Sequence, residues 1–87
     1  MDNLYTLIIS SPDGKMFEDK VSFLSLRGIN GDLAILKNHI PFSTTIVPST
    51  CKIICEDEST KYADIKSGIL TVSKDKTIIL SSDFSWK

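Results

Sequence analysis

The one histidine, His39, is the side chain best suited to proton chemistry, because imidazole titrates near 6.5. It lies in Asn38-His39-Ile40-Pro41. General acid–base or nucleophilic catalysis needs a second, oriented group within hydrogen-bond reach. No Gly-x-Ser-x-Gly elbow and no Walker-type phosphate loop occurs. Gly28-Ile29-Asn30-Gly31 is too short for such a loop and reads as a turn between strands that needs positive φ. Glu56-Asp57-Glu58 lacks the spacing of an EF-hand and reads as a solvated hairpin tip. Cys51 and Cys55 fall on one strand, roughly 13 Å apart at 3.3 Å per residue. A disulfide needs Cα atoms within about 7 Å, so the two read as small apolar side chains on one strand face. A metal would need further Cys or His ligands. The chain therefore reads as a non-enzyme with no cofactor and no metal. His39 keeps two readings, a turn histidine or an interface contact. Phe84 and Trp86 keep two as well, a plug on the last strand or an exposed anchor for a partner. Ile40 and Phe42, flanking Pro41, raise the same question.

Ten basic residues nearly cancel eleven acidic ones, for a net charge of -1. No field of one sign results, which argues against nucleic acid as a partner. No apolar run approaches the 18 or so residues of a membrane span, so direct membrane insertion is not expected. Met1-Asp2-Asn3-Leu4 has neither the basic region nor the apolar stretch of a signal peptide, and no Arg-rich transit peptide is present. The expectation is a protein that begins here, in a cytoplasmic-type compartment, where two unpaired thiols are at home.

The positioning elements read as strands. Leu4 to Ser10 is rich in β-branched and aromatic residues and stops at Ser11-Pro12-Asp13-Gly14. Lys15 to Glu18 reads as a short strand, and Lys20 to Arg27 as another whose alternation slips near Phe23-Leu24, the mark of a bulge or of burial on both sides. Asp32 to Lys37 and Phe42 to Val47 follow as short runs. Cys51 to Glu56 pairs with Lys61 to Lys66 across a polar loop, and Ile69 to Ser73 with Thr77 to Ser81 around Lys74-Asp75-Lys76. Turn signals recur about every ten residues with no sustained 3.6-residue period. The fold class is therefore all-β, a single domain over 1–87, a small β-sandwich or flattened barrel of about eight to ten short, mostly antiparallel strands.

Three stretches then carry a resemblance. Gly28-Ile29-Asn30-Gly31-Asp32-Leu33-Ala34-Ile35-Leu36-Lys37-Asn38-His39-Ile40-Pro41 closely resembles the epsilon-subunit pattern of bacterial and chloroplast F-type ATP synthases. That pattern has two glycines, an acidic residue, a small residue, two apolar residues, then His-x-Pro. Ser11-Pro12-Asp13-Gly14-Lys15-Met16-Phe17 resembles the family's opening hairpin, and Ser67-Gly68-Ile69-Leu70-Thr71-Val72 its Gly-Gly strand. Ser67 departs from the first glycine of that pair, and Lys37-Asn38 stands where the family often has Pro-Gly. Family members usually continue into a helical hairpin that carries ATP sensing and rotation blocking, and neither is carried over to a chain that stops at Lys87.

The resemblance implies a non-catalytic rotor subunit of the central stalk. It would link the gamma subunit to the polar loops of the c-ring, peripherally, at the cytoplasmic face of the bacterial membrane. Asp32 matches the acidic residue near the c-ring loops, and His39 the histidine near the gamma contact. Arg27, Ile40 and Phe42 are added to the gamma side on the composition of interface cores. Two alternatives stand beside this reading. One is an adaptor sandwich with no rotary role. The other is a biotinyl- or lipoyl-type carrier using Lys15, Lys74 or Lys76, which lacks the usual setting of the modified lysine.

Overall fold

The longest strand organises all the others. The computed structural model describes residues 3–38 and 40–87, and among them nine strands, β1 (Tyr5–Ser11), β2 (Gly14–Gly28), β3 (Gly31–Ile35), β4 (Phe42–Ile46), β5 (Ser49–Cys55), β6 (Thr60–Ile65), β7 (Gly68–Val72), β8 (Lys76–Leu80) and β9 (Phe84–Trp86). The two runs read separately as Lys15 to Glu18 and Lys20 to Arg27 are one strand, β2, of 15 residues. Its first half is mostly exposed, and only from Val21 does its sequence show buried positions, Val21, Leu24 and Leu26. The slip in alternation near Phe23 is real. The β2–β5 register shifts between Val21 and Phe23, the bulge that lets β2 bend.

Partners divide along the two edges of β2. At Val21 both β1 and β5 are paired to it, and at Leu24 both β3 and β5. So β1 and β3 follow one another along one edge, while β5 takes the other. Beyond β5, Ile46 of β4 reaches Gly28. From β1 the ladder continues through β8 and β7 to β4, and from β5 through β6 to β9. The sheet thus curls into two layers sharing β2, one of β1, β8, β7 and β4, the other of β3, β5, β6 and β9. All pairings are antiparallel except β1 with β8.

One core fills the space between the layers. Tyr5, Leu7 and Ile9 of β1, Leu70 and Val72 of β7 and Ile79 of β8 point in from one side. Cys51, Ile53 and Cys55 of β5, with Ala63 and Ile65 of β6, point in from the other. Each set obeys the period of two that a half-buried strand requires. Cys51 and Cys55 are free and buried on one strand face, as the sequence implies. Phe84 is buried, whereas Trp86 is partly exposed and packs edge-on against Phe84 and Phe17, with ring centroids 4.8 and 5.4 Å away. The terminal pair is therefore half plug and half surface.

Candidate functional site

Two ends of β3 concentrate the surface features. At the first, the two-residue turn Ile29-Asn30 sets Gly28 opposite Gly31, and Arg27 therefore opposite Asp32. The turn depends on its glycines. Gly31 has φ +127, and a Cβ on Gly28 would lie 3.0 Å from Leu33 Cδ1 and 3.2 Å from Thr44 Cγ2. Across the ladder the Arg27 guanidinium donates from Nε to Asp32 Oδ1 at 2.8 Å. The Asp32 side chain stays 80% exposed. Hydrogen bonding to Asp32, helped by its charge, holds the Arg27 guanidinium above its ordinary range. Arg27 and Asp32 line an open depression with Ser25, Ala34, Ser49 and Thr50. The net charge of this end is close to zero, because the acid carries its own counter-ion.

The second end is aliphatic. β3 finishes at the fully buried Ile35, and the chain turns out through Leu36, which is exposed, and Asn38, whose φ is 67. Asparagine is among the few non-glycine residues that accept this backbone. Ile40 is 78% exposed. Phe42 is only partly exposed, packs against the core and pairs with Val72. His39 lies outside the described residues. From Asp32 to Leu36 is four residues, or about 13 Å of strand.

These positions regroup the expected residues. Arg27 stands beside Asp32 rather than near Phe42. Phe42 lies four residues along β4 from Ile46, the residue opposite Gly28. Ile40 is the aliphatic side chain that faces outward.

A third feature was missed from sequence. Ile69 and Leu80 are cross-strand neighbours, each 51% exposed, in a shallow apolar slot with Pro12, rimmed by Ser10, Ser11, Ser67, Ser81 and Ser82. The signal was available. Leu70 and Val72 alternate inward from Gly68, so Ile69 must point out. The slot rests on a close backbone approach, since a Cβ on Gly68 would lie 2.4 Å from the Leu80 carbonyl oxygen. Ser67, which stands in place of a family glycine, donates to Asp83 Oδ2 at 2.9 Å, and its carbonyl accepts from the Ser81 hydroxyl at 2.6 Å. Gly28, Ile46 and Gly68 are paired in a row, so slot and hairpin end share one end of the sandwich, about 14 Å apart at three strand spacings.

Elsewhere the surface offers little chemistry. The acidic tip is solvated, and Asp57 accepts from both the hydroxyl and the backbone N–H of Ser59, which hold its carboxyl below the usual range. Among the described residues no cluster of His, Cys, Asp and Glu could hold a metal, and no helix is long and apolar enough to cross a membrane.

Residues 4–87 match the family described as the beta-sandwich domain of the ATP synthase delta/epsilon chain. The chain is 36% identical over 86 residues to the sodium-ion-specific ATP synthase epsilon chain of Acetobacterium woodii, covering 99% of this chain and 65% of that relative. It is 34% identical over 86 residues to the ATP synthase epsilon chain of Caldanaerobacter subterraneus, covering 99% of this chain and 62% of that one. The chain thus spans less than two thirds of the length of these relatives. Its fold is similar to that of a chain in the mitochondrial ATP synthase of Euglena gracilis, with a TM-score of 0.89 at 15% identity over 99% of this chain and 55% of that one.

Proposed function

The chain belongs to the ATP synthase delta/epsilon family as its β-sandwich domain, and on that premise we propose that it is a non-catalytic rotor component of the central stalk, seated between the gamma subunit and the c-ring. One observation supports this above the rest. A single short strand, β3, carries a polar, ion-paired turn at one end and outward aliphatic residues at the other, about 13 Å apart. A wedge that transmits torque needs two unlike contact surfaces on one stiff body, and paired strands around a packed core resist deformation.

The Arg27–Asp32 end suits the polar loops of the c-ring. A paired charge there favours one docking register more than it adds affinity. Ile40 suits the gamma side, where an apolar contact excludes water. His39 stays on the gamma side by its match to the family motif, and Phe42 contributes there by supporting the chain from the core. The protein sits peripherally at the cytoplasmic face of the bacterial membrane, through its partners alone. Among the described residues no constellation favours an adaptor or a carrier.

The test is capture of the purified gamma subunit by this chain, repeated with Ile40→Ser, His39→Ala and Asp32→Ala. One-to-one binding that weakens with Ile40→Ser and His39→Ala but not with Asp32→Ala is expected. A folded chain that never binds gamma would overturn the rotor reading.

A further inference from the structure

We propose that Tyr5 is a positioning residue, whose buried hydroxyl fixes the point at which the chain leaves β3 and so the placement of the aliphatic exit segment. Tyr5 is 3% exposed, and its hydroxyl donates to the Ile35 carbonyl at 2.6 Å, across 30 residues of sequence. The bond falls at a joint. On one edge of β2 the β1 ladder ends at Tyr5↔Val21, and the β3 ladder begins at Leu24↔Ile35. Ser22 and Phe23 between them have no ladder partner on that edge, and the bulge of β2 lies opposite. The phenol bridges the gap.

Packing alone does not call for this hydroxyl. A phenylalanine ring fills nearly the same space, and the core cluster to which Tyr5 belongs is otherwise apolar. What the oxygen adds is a directed partner for a carbonyl on the last residue of β3, a strand of five residues whose one ladder neighbour is β2. Leu36 follows directly and Asn38 two residues on, so the direction in which Ile35 ends sets how the exit segment sets out. Loss of the hydroxyl leaves the Ile35 carbonyl buried without that donor, and local opening is the cheapest relief.

The experiment compares amide hydrogen exchange in the isolated chain with and without Tyr5→Phe. The expected result is exchange about tenfold faster for amides from Leu33 to Asn38, the effect of one buried hydrogen bond, with Leu70 and Ile79 unchanged. Uniform acceleration would mean that Tyr5 is core filler, and no change would mean that the bond is idle; either result overturns the proposal. Should the variant fail to fold, exchange in the unaltered chain at rising denaturant decides. Leu33 to Asn38 must then open as a unit separate from β7 and β8, and opening together with them overturns the proposal. The functional arm rests on the rotor reading, with Tyr5→Phe expected to speed dissociation from gamma severalfold. An unaltered chain that does not bind gamma sinks that reading while the exchange result still stands.

Discussion

The two ends of β3 are fixed by opposite means. The Gly31 end combines a two-residue turn and an ion pair in water with backbone bonds to the next strand, from the Ile29 N–H to the Thr45 carbonyl at 2.9 Å and from the Val47 N–H to the Arg27 carbonyl at 3.1 Å. The Ile35 end is held by a phenol 30 residues away, inside the core. The ion pair of the first end lies in water and is screened by salt. The buried bond of the second end is insensitive to salt and depends on the core being assembled. The two ends therefore answer to different conditions.

The sharpest way to break the contrast is to damage each end in turn. Ile35→Ala empties a fully buried site and should cost about 2–5 kcal/mol in urea unfolding. Gly31→Ala forces a side chain onto a φ of +127 and should cost less, about 1–3 kcal/mol. Equal losses would erase the distinction between the ends.

Alkaline pH tests the buried end more finely, with a core thiol as the internal reference. Burial pushes the Cys51 thiol up to about 11 and the Tyr5 phenol well above its ordinary value near 10. Both groups are neutral in the fold and lose protons first in the unfolded chain. The unfolded state thus binds fewer protons, and stability falls as pH rises through 9 and then 10, by up to ~1.4 kcal/mol per unit for each group. Tyr5→Phe should flatten the fall above pH 10 and leave the Cys51 part in place, as read from unfolding midpoints at pH 8 to 11. An unchanged slope would detach Tyr5 from the effect.

The smallest effect belongs to the hairpin end. Arg27→Gln should leave the melting temperature unchanged, because an exposed pair contributes little to stability. On the proposed rotor reading it should instead make docking on the c-ring more salt-dependent, since Asp32 then meets its partner without its own counter-ion. Titrations in 0.05 and 0.5 M NaCl check this, and identical salt slopes would count against a docking role for the pair.

Much of this architecture is written locally. Alternation and turn residues locate most strands, and Cys51 to Glu56 against Lys61 to Lys66 needs nothing beyond neighbouring sequence. The unity of β2 is not local. Its exposed first half and half-buried second half look like two strands because the change of layer depends on which partners lie alongside. The Arg27–Asp32 pair was within reach, since Gly28-Ile29-Asn30-Gly31 as a two-residue turn dictates it. Grouping residues by type rather than by register set Arg27 with Ile40 and Phe42, whereas in the fold its side chain pairs with Asp32. The Tyr5 bond has no sequence signature, because nothing near Tyr5 or Ile35 specifies that β1 and β3 share an edge.

The one parallel pairing, β1 against β8 from Thr6↔Lys76 to Ser10↔Leu80, gives the domain a timetable. β1 can zip onto β2 as soon as both leave the ribosome, but its other edge waits for a strand 70 residues downstream. At roughly 5–20 residues per second that wait lasts several seconds. Pairings this distant in sequence also form slowly once available. Throughout the interval a Leu7–Ile9 strand offers an open edge to any other extended chain. For this domain the exposed interval is synthesis, and the β1–β8 pairing that closes the sheet has to wait for it.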